Sequence, residues 1–276
     1  MFELPEIVTL TKQINQTLQG KTIRQGRQGN SPHKFVWHNH SHAEFEALTQ
    51  GKTLGEAWSR GRWLFIPLEP GYLLLFGECG GKMLYHPTDS KLPTKYHMLI
   101  EFDDGSAFSE TTQMWGAMEL YERGQEKERV YVKDMRTTPV DPEFTFDYFS
   151  GLIESLLSGE KRSVKGLLTL DQIIPGLGNA IAQDIMFNAS LHPRHPINEL
   201  NRQQVRELYQ AIVDTLQDAI AKGGRYDEFD LFEHLGGYVR LMDKNALAKP
   251  CPVCGGNVEK IAYLGGSCYL CPRCQT

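Results

Sequence analysis

The 276-residue chain is 41% hydrophobic and 23% charged, which excludes a disordered tail or a fibrous repeat and leaves room for two ordinary domains. Its net charge of -5 and pI near 6.0 exclude a uniformly basic protein, so any nucleic-acid contact needs a locally basic face. Neither a signal-type N-terminus nor an apolar run long enough to cross a bilayer is visible, so a soluble cytosolic protein is expected.

Residues 4–18 read as a helix. Pro5 suits its first turn, Glu6 complements the positive end of its dipole, Ile7, Leu10, Ile14 and Leu18 form one apolar stripe, and Gly20 ends it. Short strand-like segments follow at 34–37, 63–67, 72–76, 98–102, 107–110 and 117–121. The turns Glu69-Pro-Gly71 and Asp103-Asp-Gly105 connect neighbouring strands as hairpins, and the pattern as a whole suggests a β-sandwich or barrel. Acidic residues gather at Glu101, Asp103, Asp104 and Glu110, and again at Asp141, Glu143 and Asp147. After Thr137-Thr-Pro139 the pattern turns helical, at 149–157, 164–170, 180–189 and 202–221, the last with a clear apolar face. The chain therefore reads as α+β, with a sandwich domain at 1–140, a helical domain at 141–247 and a separate module at 248–276.

That last module carries the strongest local signal. Cys251-Pro-Val-Cys254 and Cys271-Pro-Arg-Cys274 are two CxxC knuckles separated by a stretch with the length and turn residues of a β-hairpin. In a reducing compartment such pairs are metal ligands, and four thiolates close a tetrahedral structural zinc site with no open position for chemistry. Cys79 and Cys268 are left over and read as buried free thiols. His38, His40 and His42 alternate along one segment, which would place them on one strand face; a second metal site is conceivable there, and solvated loop histidines are the plainer reading.

The segment 167–179, LLTLDQIIPGLGN, places two helices around the turn Pro175-Gly-Leu-Gly178. The helix beginning at Asn179 then offers free N–H groups to a phosphate. An ordinary helix hairpin with packing glycines is the alternative.

Taken together, these motifs resemble the Fpg/Nei family of DNA glycosylases. Glu3-Leu-Pro-Glu6 resembles the family's N-terminal signature, 170–193 its helix–two-turn–helix, and Gly236-Gly-Tyr238 with the two knuckles its C-terminal zinc finger. The family's fold, a β-sandwich with a helical domain and a zinc hairpin, agrees with the elements above. The resemblance implies a monomeric base-excision repair enzyme that binds damaged duplex DNA between its two domains and flips a nucleotide out of the stack. It implies phosphate contact by Asn179 beside Gly178, an aromatic wedge at Trp115 and a gap-filling side chain at Met114. It also places Lys34 near a basic DNA-facing loop and assigns an acid role to Glu3, with Glu6 beside it.

The sequence departs from the family at three points. Phe2 stands where the family carries its nucleophilic N-terminal proline, and so bulky a second residue should keep Met1, and its amine, in place. Arg62 replaces a catalytic-site lysine, exchanging a point charge for a planar fork. Gly266 falls where the zinc hairpin normally presents a phosphate-clamping arginine. All three changes converge on the sugar–phosphate of the flipped nucleotide. The expected enzyme therefore releases a base with weak or rerouted strand cleavage, through Met1 or through water activated by Glu3. Glu78 is a weaker candidate base. A catalytically degenerate lesion sensor is the alternative.

Overall fold

The first helix, α1 (Leu4–Thr17), begins where expected: Glu3 is its N-cap, and the Glu6 carboxylate accepts the Glu3 N–H at 2.8 Å. Ile7, Leu10 and Ile14 are buried along its apolar stripe. The structure, a computed structural model, describes residues 1–29, 34–159 and 161–276. The positions 30–33 before Lys34 lie outside them.

Ten strands follow: β1 (Ile23–Gln28), β2 (Val36–Trp37), β3 (Thr53–Leu54), β4 (Trp58–Arg60), β5 (Trp63–Glu69), β6 (Tyr72–Gly77), β7 (Gly81–His86), β8 (Met98–Phe102), β9 (Ala107–Thr112) and β10 (Gly116–Glu122). A helix, α2 (His42–Thr49), interrupts them after β2. One sheet runs β1-β8-β9-β7; the other runs β2-β10-β6-β5-β3, with β4 paired to β5. Their facing side chains share one core. Ile23, Met83, Met98, Ile100, Phe102 and Phe108 come from the first sheet, Leu64, Ile66, Leu68, Leu74, Phe76 and Met118 from the second. Phe76 meets Phe108 edge-on at 5.8 Å across that core, a favoured aromatic geometry.

Strand β5 is apolar at nearly every position because both of its faces are covered. Its odd residues, Trp63 and Phe65, join Leu73, Leu75 and Ala117 in a second cluster, capped by Val132 of the short helix α3 (Val130–Lys133) and by Met135. Strands β1 and β7 escape sequence reading because they lack an apolar alternation: β1 is Ile-Arg-Gln-Gly-Arg-Gln. His38, His40 and His42 do not line one strand face. Strand β2 ends at Trp37, His40 Nε2 lies 2.9 Å from the Leu120 carbonyl, and His42 opens α2 behind the capping residue Ser41. The three imidazoles therefore share no strand face.

A second unit comprises Arg136–Ala221 and Tyr238–Thr276; the first comprises Met1–Met135 and Lys222–Gly237. The expected helical domain at 141–247 is thus split. The segment 222–237 returns to the sandwich because Arg225 is buried against Glu6 of α1 and Leu231 is fully buried in the sandwich core. The second unit holds α4 (Phe146–Leu156), α5 (Val164–Thr169), α6 (Asn179–Asn188) and α7 (Arg202–Ala221), followed by a hairpin of β11 (Glu259–Tyr263) and β12 (Gly266–Leu270).

Of the two buried carboxyls in the first sheet, Glu101 is paired with Arg24 and Arg27, and Glu110 is not paired among the described residues. Glu110 on β9 sits between Met83 and Met98 in register, is fully buried, and neither carboxyl oxygen has a hydrogen-bond partner among the described residues. Desolvation pushes it well above the usual carboxylate range, so the fold holds its proton more tightly than the unfolded chain does. That contribution to stability is complete below the ordinary carboxylate pKa and is lost as pH rises toward the raised folded value. Glu110→Gln, which cannot ionise, is expected to flatten this dependence. Melts from pH 5 to 9 should show the variant gaining on the parent by several degrees, at about 2–4 °C per kcal/mol for a chain of this size. Parallel curves for the two proteins would contradict a neutral Glu110.

Candidate active site and metal centre

The N-terminus is tied into the first unit by its second residue. Phe2 is fully buried in the sandwich core, and its N–H donates to the Cys79 carbonyl at 2.9 Å. This lays Met1 across Gly80, where a Cβ would come within 2.3 Å of the Met1 Cα. Only glycine permits that approach.

Around Met1 lies a cluster of charges. Arg225, 4% exposed, donates to both Glu6 oxygens, through Nε at 3.1 Å and Nη2 at 2.9 Å, and its backbone N–H donates to Oε1 at 2.8 Å. The same Nη2 donates to the Met1 carbonyl at 2.8 Å and to Glu228 at 3.2 Å, while Nη1 stands 3.8 Å from Glu3. The Met1 amine lies 3.4 Å from Glu228 Oε1. Three carboxylates, Glu3, Glu6 and Glu228, thus face one guanidinium and one amine. A guanidinium serves so crowded a site because its donors are fixed in a planar fork. The Glu6 carboxylate, read from sequence only as a partner of the helix dipole or an assistant acid, is the principal anchor of Arg225.

Arg62 flanks this cluster. Its Nη1 donates to Glu78 at 2.6 Å and lies 3.2 Å from the Met1 sulfur. Glu78 holds a left-handed backbone, φ 54°, between β6 and β7. The Cys79 thiol is buried, and desolvation raises its pKa well above normal, so it is no nucleophile at neutral pH.

Trp115 is not a core residue. It occupies the link between β9 and β10, exposed, with Trp37 stacked on it at 5.3 Å and Phe35 at 4.6 Å. Met114 beside it is 59% exposed, and Lys34 lies over the Phe35 ring at 5.5 Å. The structure therefore gathers Lys34, Met114 and Trp115 on one ledge and adds Phe35 and Trp37 to it.

In the second unit, Gly178 is the N-cap of α6 and Asn179 its exposed first residue. Asn179 Nδ2 donates to the Ser267 carbonyl at 3.2 Å, and a Cβ on Gly266 would meet Asn179 Oδ1 at 3.3 Å. The β11–β12 hairpin is held against these helices from two further sides. Buried Lys165 donates to the Tyr263 carbonyl at 2.6 Å, and Gln183 accepts the Tyr269 N–H at 2.7 Å. At the base of the hairpin, the sulfurs of Cys251, Cys254, Cys271 and Cys274 lie within 4.8 Å of one another. The Cys251–Cys274 and Cys254–Cys271 separations are 3.8 and 3.5 Å. A tetrahedral ion with metal–sulfur bonds of about 2.3 Å needs sulfurs roughly 3.8 Å apart, so the four thiolates fit one metal ion. Phe187, Met242 and Val258 pack round them.

Arg225 and Glu228 have no local signal in the sequence. Their meaning depends on contacts more than two hundred positions away, at Glu6 and Met1.

Known proteins place this architecture. Residues 1–115 match the formamidopyrimidine-DNA glycosylase N-terminal domain and residues 136–229 the formamidopyrimidine-DNA glycosylase H2TH domain. Formamidopyrimidine-DNA glycosylase of Bacillus licheniformis is 28% identical, the match covering 100% of this chain and 99% of that one. The Fpg protein of Thermus thermophilus superposes with a TM-score of 0.81 at 25% identity, covering 99% of this chain and 98% of that one. Lactococcus lactis Fpg, solved with abasic-site DNA, has the same fold, with a TM-score of 0.85 at 22% identity over 99% of each chain. The chain belongs to the Fpg/Nei family of DNA glycosylases.

Proposed function

We propose that this protein is a base-excision repair glycosylase that binds duplex DNA carrying a damaged or abasic nucleotide, flips that nucleotide out, and releases the modified base. The observation that carries this reading is the seating of an N-terminal amine and the Glu3 carboxylate in one charge cluster, at the start of a glycosylase domain. Flipping exposes C1′ of the sugar to such groups, and a carboxylate beside it can activate water or stabilise the oxocarbenium-like state. Phe2 is locked in the core, so the amine on offer is that of Met1. Strand cleavage through it is slow, because that amine stands one residue out from the family's proline.

In this reading the site of Cys251, Cys254, Cys271 and Cys274 holds one structural zinc, since four thiolates leave no coordination position for water. Trp115 and Met114 fill the gap left by the flipped nucleotide, with Lys34 and Arg62 contacting the backbone. Gly178 and Asn179 present the N-terminus of α6 to phosphate. Among the described residues no helix is long and apolar enough to cross a membrane. A monomer working on DNA in the bacterial cytoplasm fits this set of features.

The direct test is a panel of duplexes, each with one oxidised base or one abasic site, assayed for base release and for nicking. Release from at least one oxidised base is expected. Tight abasic-site binding with no product from any lesion would make the protein a sensor instead. Binding should also weaken with salt despite the acidic pI, because positioned cations and helix N-termini displace counterions from phosphates. Asn179→Ala is expected to lower affinity about tenfold for all sequences alike, the worth of one hydrogen bond to a charged group, read by fluorescence anisotropy. Salt-independent binding would remove the phosphate role.

A further inference from the structure

The Met1 amine is seated by contacts that the family's proline does not explain. Phe2 is fixed in the core, Gly80 admits the Met1 backbone, and Arg225 grips the Met1 carbonyl at 2.8 Å. The amine then meets Glu228 Oε1 at 3.4 Å, and Arg225 braces that same oxygen from 3.2 Å. We propose that Glu228 is the positioning residue for the Met1 amine, holding it in place and taking up its proton as it condenses with the C1′ aldehyde of an abasic nucleotide. This rests on the reading that abasic duplex is a ligand of this protein.

The step balances within the cluster. The ammonium gives a proton to Glu228, and the freed nitrogen lone pair bonds to C1′ to form a carbinolamine. Glu228 returns the proton to the departing hydroxyl, water leaves, and an iminium remains. Loss of the C2′ proton to solvent then expels the 3′ phosphate, and hydrolysis of the imine restores the amine. The charges suit this exchange. Glu228 faces Arg225 on its own segment, the Met1 amine, and Glu6 of α1, with Glu3 across the guanidinium. Three carboxylates against two cations leave one negative charge in excess, and passing a proton from the amine to Glu228 leaves that net charge unchanged. Burial raises the Glu228 carboxyl, against the pull of Arg225 and the terminal ammonium.

The test uses the full-length protein, a duplex with one preformed abasic site, and borohydride, with Glu228→Gln and Glu228→Asp beside the parent. The parent should trap on the Met1 nitrogen, as located by mass spectrometry of the N-terminal peptide. Glu228→Gln should lower the trapping rate by about 100-fold, the lower end of what a positioned proton acceptor contributes. Glu228→Asp should recover part of the rate. A tetrahydrofuran-containing duplex, which cannot form an imine, should bind parent and variants alike and so report an intact fold. Adducts on a lysine, no adduct from a parent that binds the duplex, or a Glu228→Gln trapping rate matching the parent's would each overturn the proposal. If the parent binds no duplex at all, the glycosylase reading fails. The Glu228–amine link is then decided separately by reductive methylation of Met1 with formaldehyde and cyanoborohydride. Methylation of that nitrogen at fixed pH is faster in Glu228→Gln if the carboxylate holds and shields the amine, and unchanged if not.

Discussion

Cys254→Ser, or removal of the metal by a chelator, is expected to reduce duplex binding by roughly a hundredfold or more while the sandwich stays folded. The hairpin of β11 and β12 has five residues in each strand, too little to stand alone in water. Its base has a small core of Phe187, Met242, Ala246 and Val258 around two buried cysteines, Cys251 and Cys271. For modules of this size, metal affinity, about 10–16 kcal/mol for zinc at neutral pH, is folding free energy. Losing it frees the hairpin from Gln183 and Lys165 and strips Asn179 of the Ser267 carbonyl that orients it. The phosphate contact at α6 should go with it. The sandwich offers a built-in control, because all four tryptophans, Trp37, Trp58, Trp63 and Trp115, lie in the first unit. Their fluorescence should not change on chelation, while anisotropy with labelled duplex collapses. Elemental analysis should give one zinc per chain. A zinc-free protein that still binds DNA would remove the metal from the account.

What is legible in the sequence follows from the range of the interactions involved. Helix α7 is readable to the residue, because Val205, Leu208, Ile212 and Leu216 repeat at helical spacing over twenty positions. Strand β8 is equally plain, as an apolar run closed by Asp103-Asp-Gly105, with Gly105 at φ 82° in the turn. The four cysteines declare their site through spacing, which is local chemistry. Strand β1 is hidden because its exposed side carries Arg24 and Arg27, which pair with Glu101 on the neighbouring strand. Helix α2 is hidden by the alternating histidines that lead into it, of which only His42 belongs to it, although Ser41-His-Ala-Glu44 carries a capping box. The charge cluster is legible only in half. Glu3 and Glu6 stand in a recognisable motif; Arg225 and Glu228 lie in a loop after Gly223 and Gly224 whose partners are at the opposite end of the chain. Trp115 can be picked out as a candidate wedge, but nothing local to it announces that Phe35 and Trp37 stack beside it.

Glu3→Gln is expected to lower base release by about 10²–10⁴-fold, the range of general acid–base catalysis, while leaving duplex affinity and melting temperature close to the parent's. The two N-terminal carboxylates are held very differently. Glu6 takes two side-chain donors and a backbone N–H from Arg225 at 2.8–3.1 Å. Glu3 faces the same guanidinium at 3.8 Å, a longer ion pair, through Nη1. Removing the charge of Glu6 leaves Arg225 buried with its main partner gone, and breaking a buried pair in that way costs about 3–5 kcal/mol. Glu6→Gln should therefore show chiefly as a lowered melting temperature. Glu3→Gln keeps an amide oxygen for capping α1, so its deficit should fall on chemistry. Single-turnover release from an oxidised-base duplex, beside thermal melts of both variants, separates the two roles. The products refine the result further. Water attack leaves an intact abasic strand that breaks only on heating in alkali, whereas the amine route leaves a borohydride-trappable adduct. A Glu3→Gln protein as fast as the parent would remove the carboxylate from either route. Efficient turnover of an oxidised base with strong trapping at Met1 would instead make the amine the principal nucleophile and leave Glu3 to assist it.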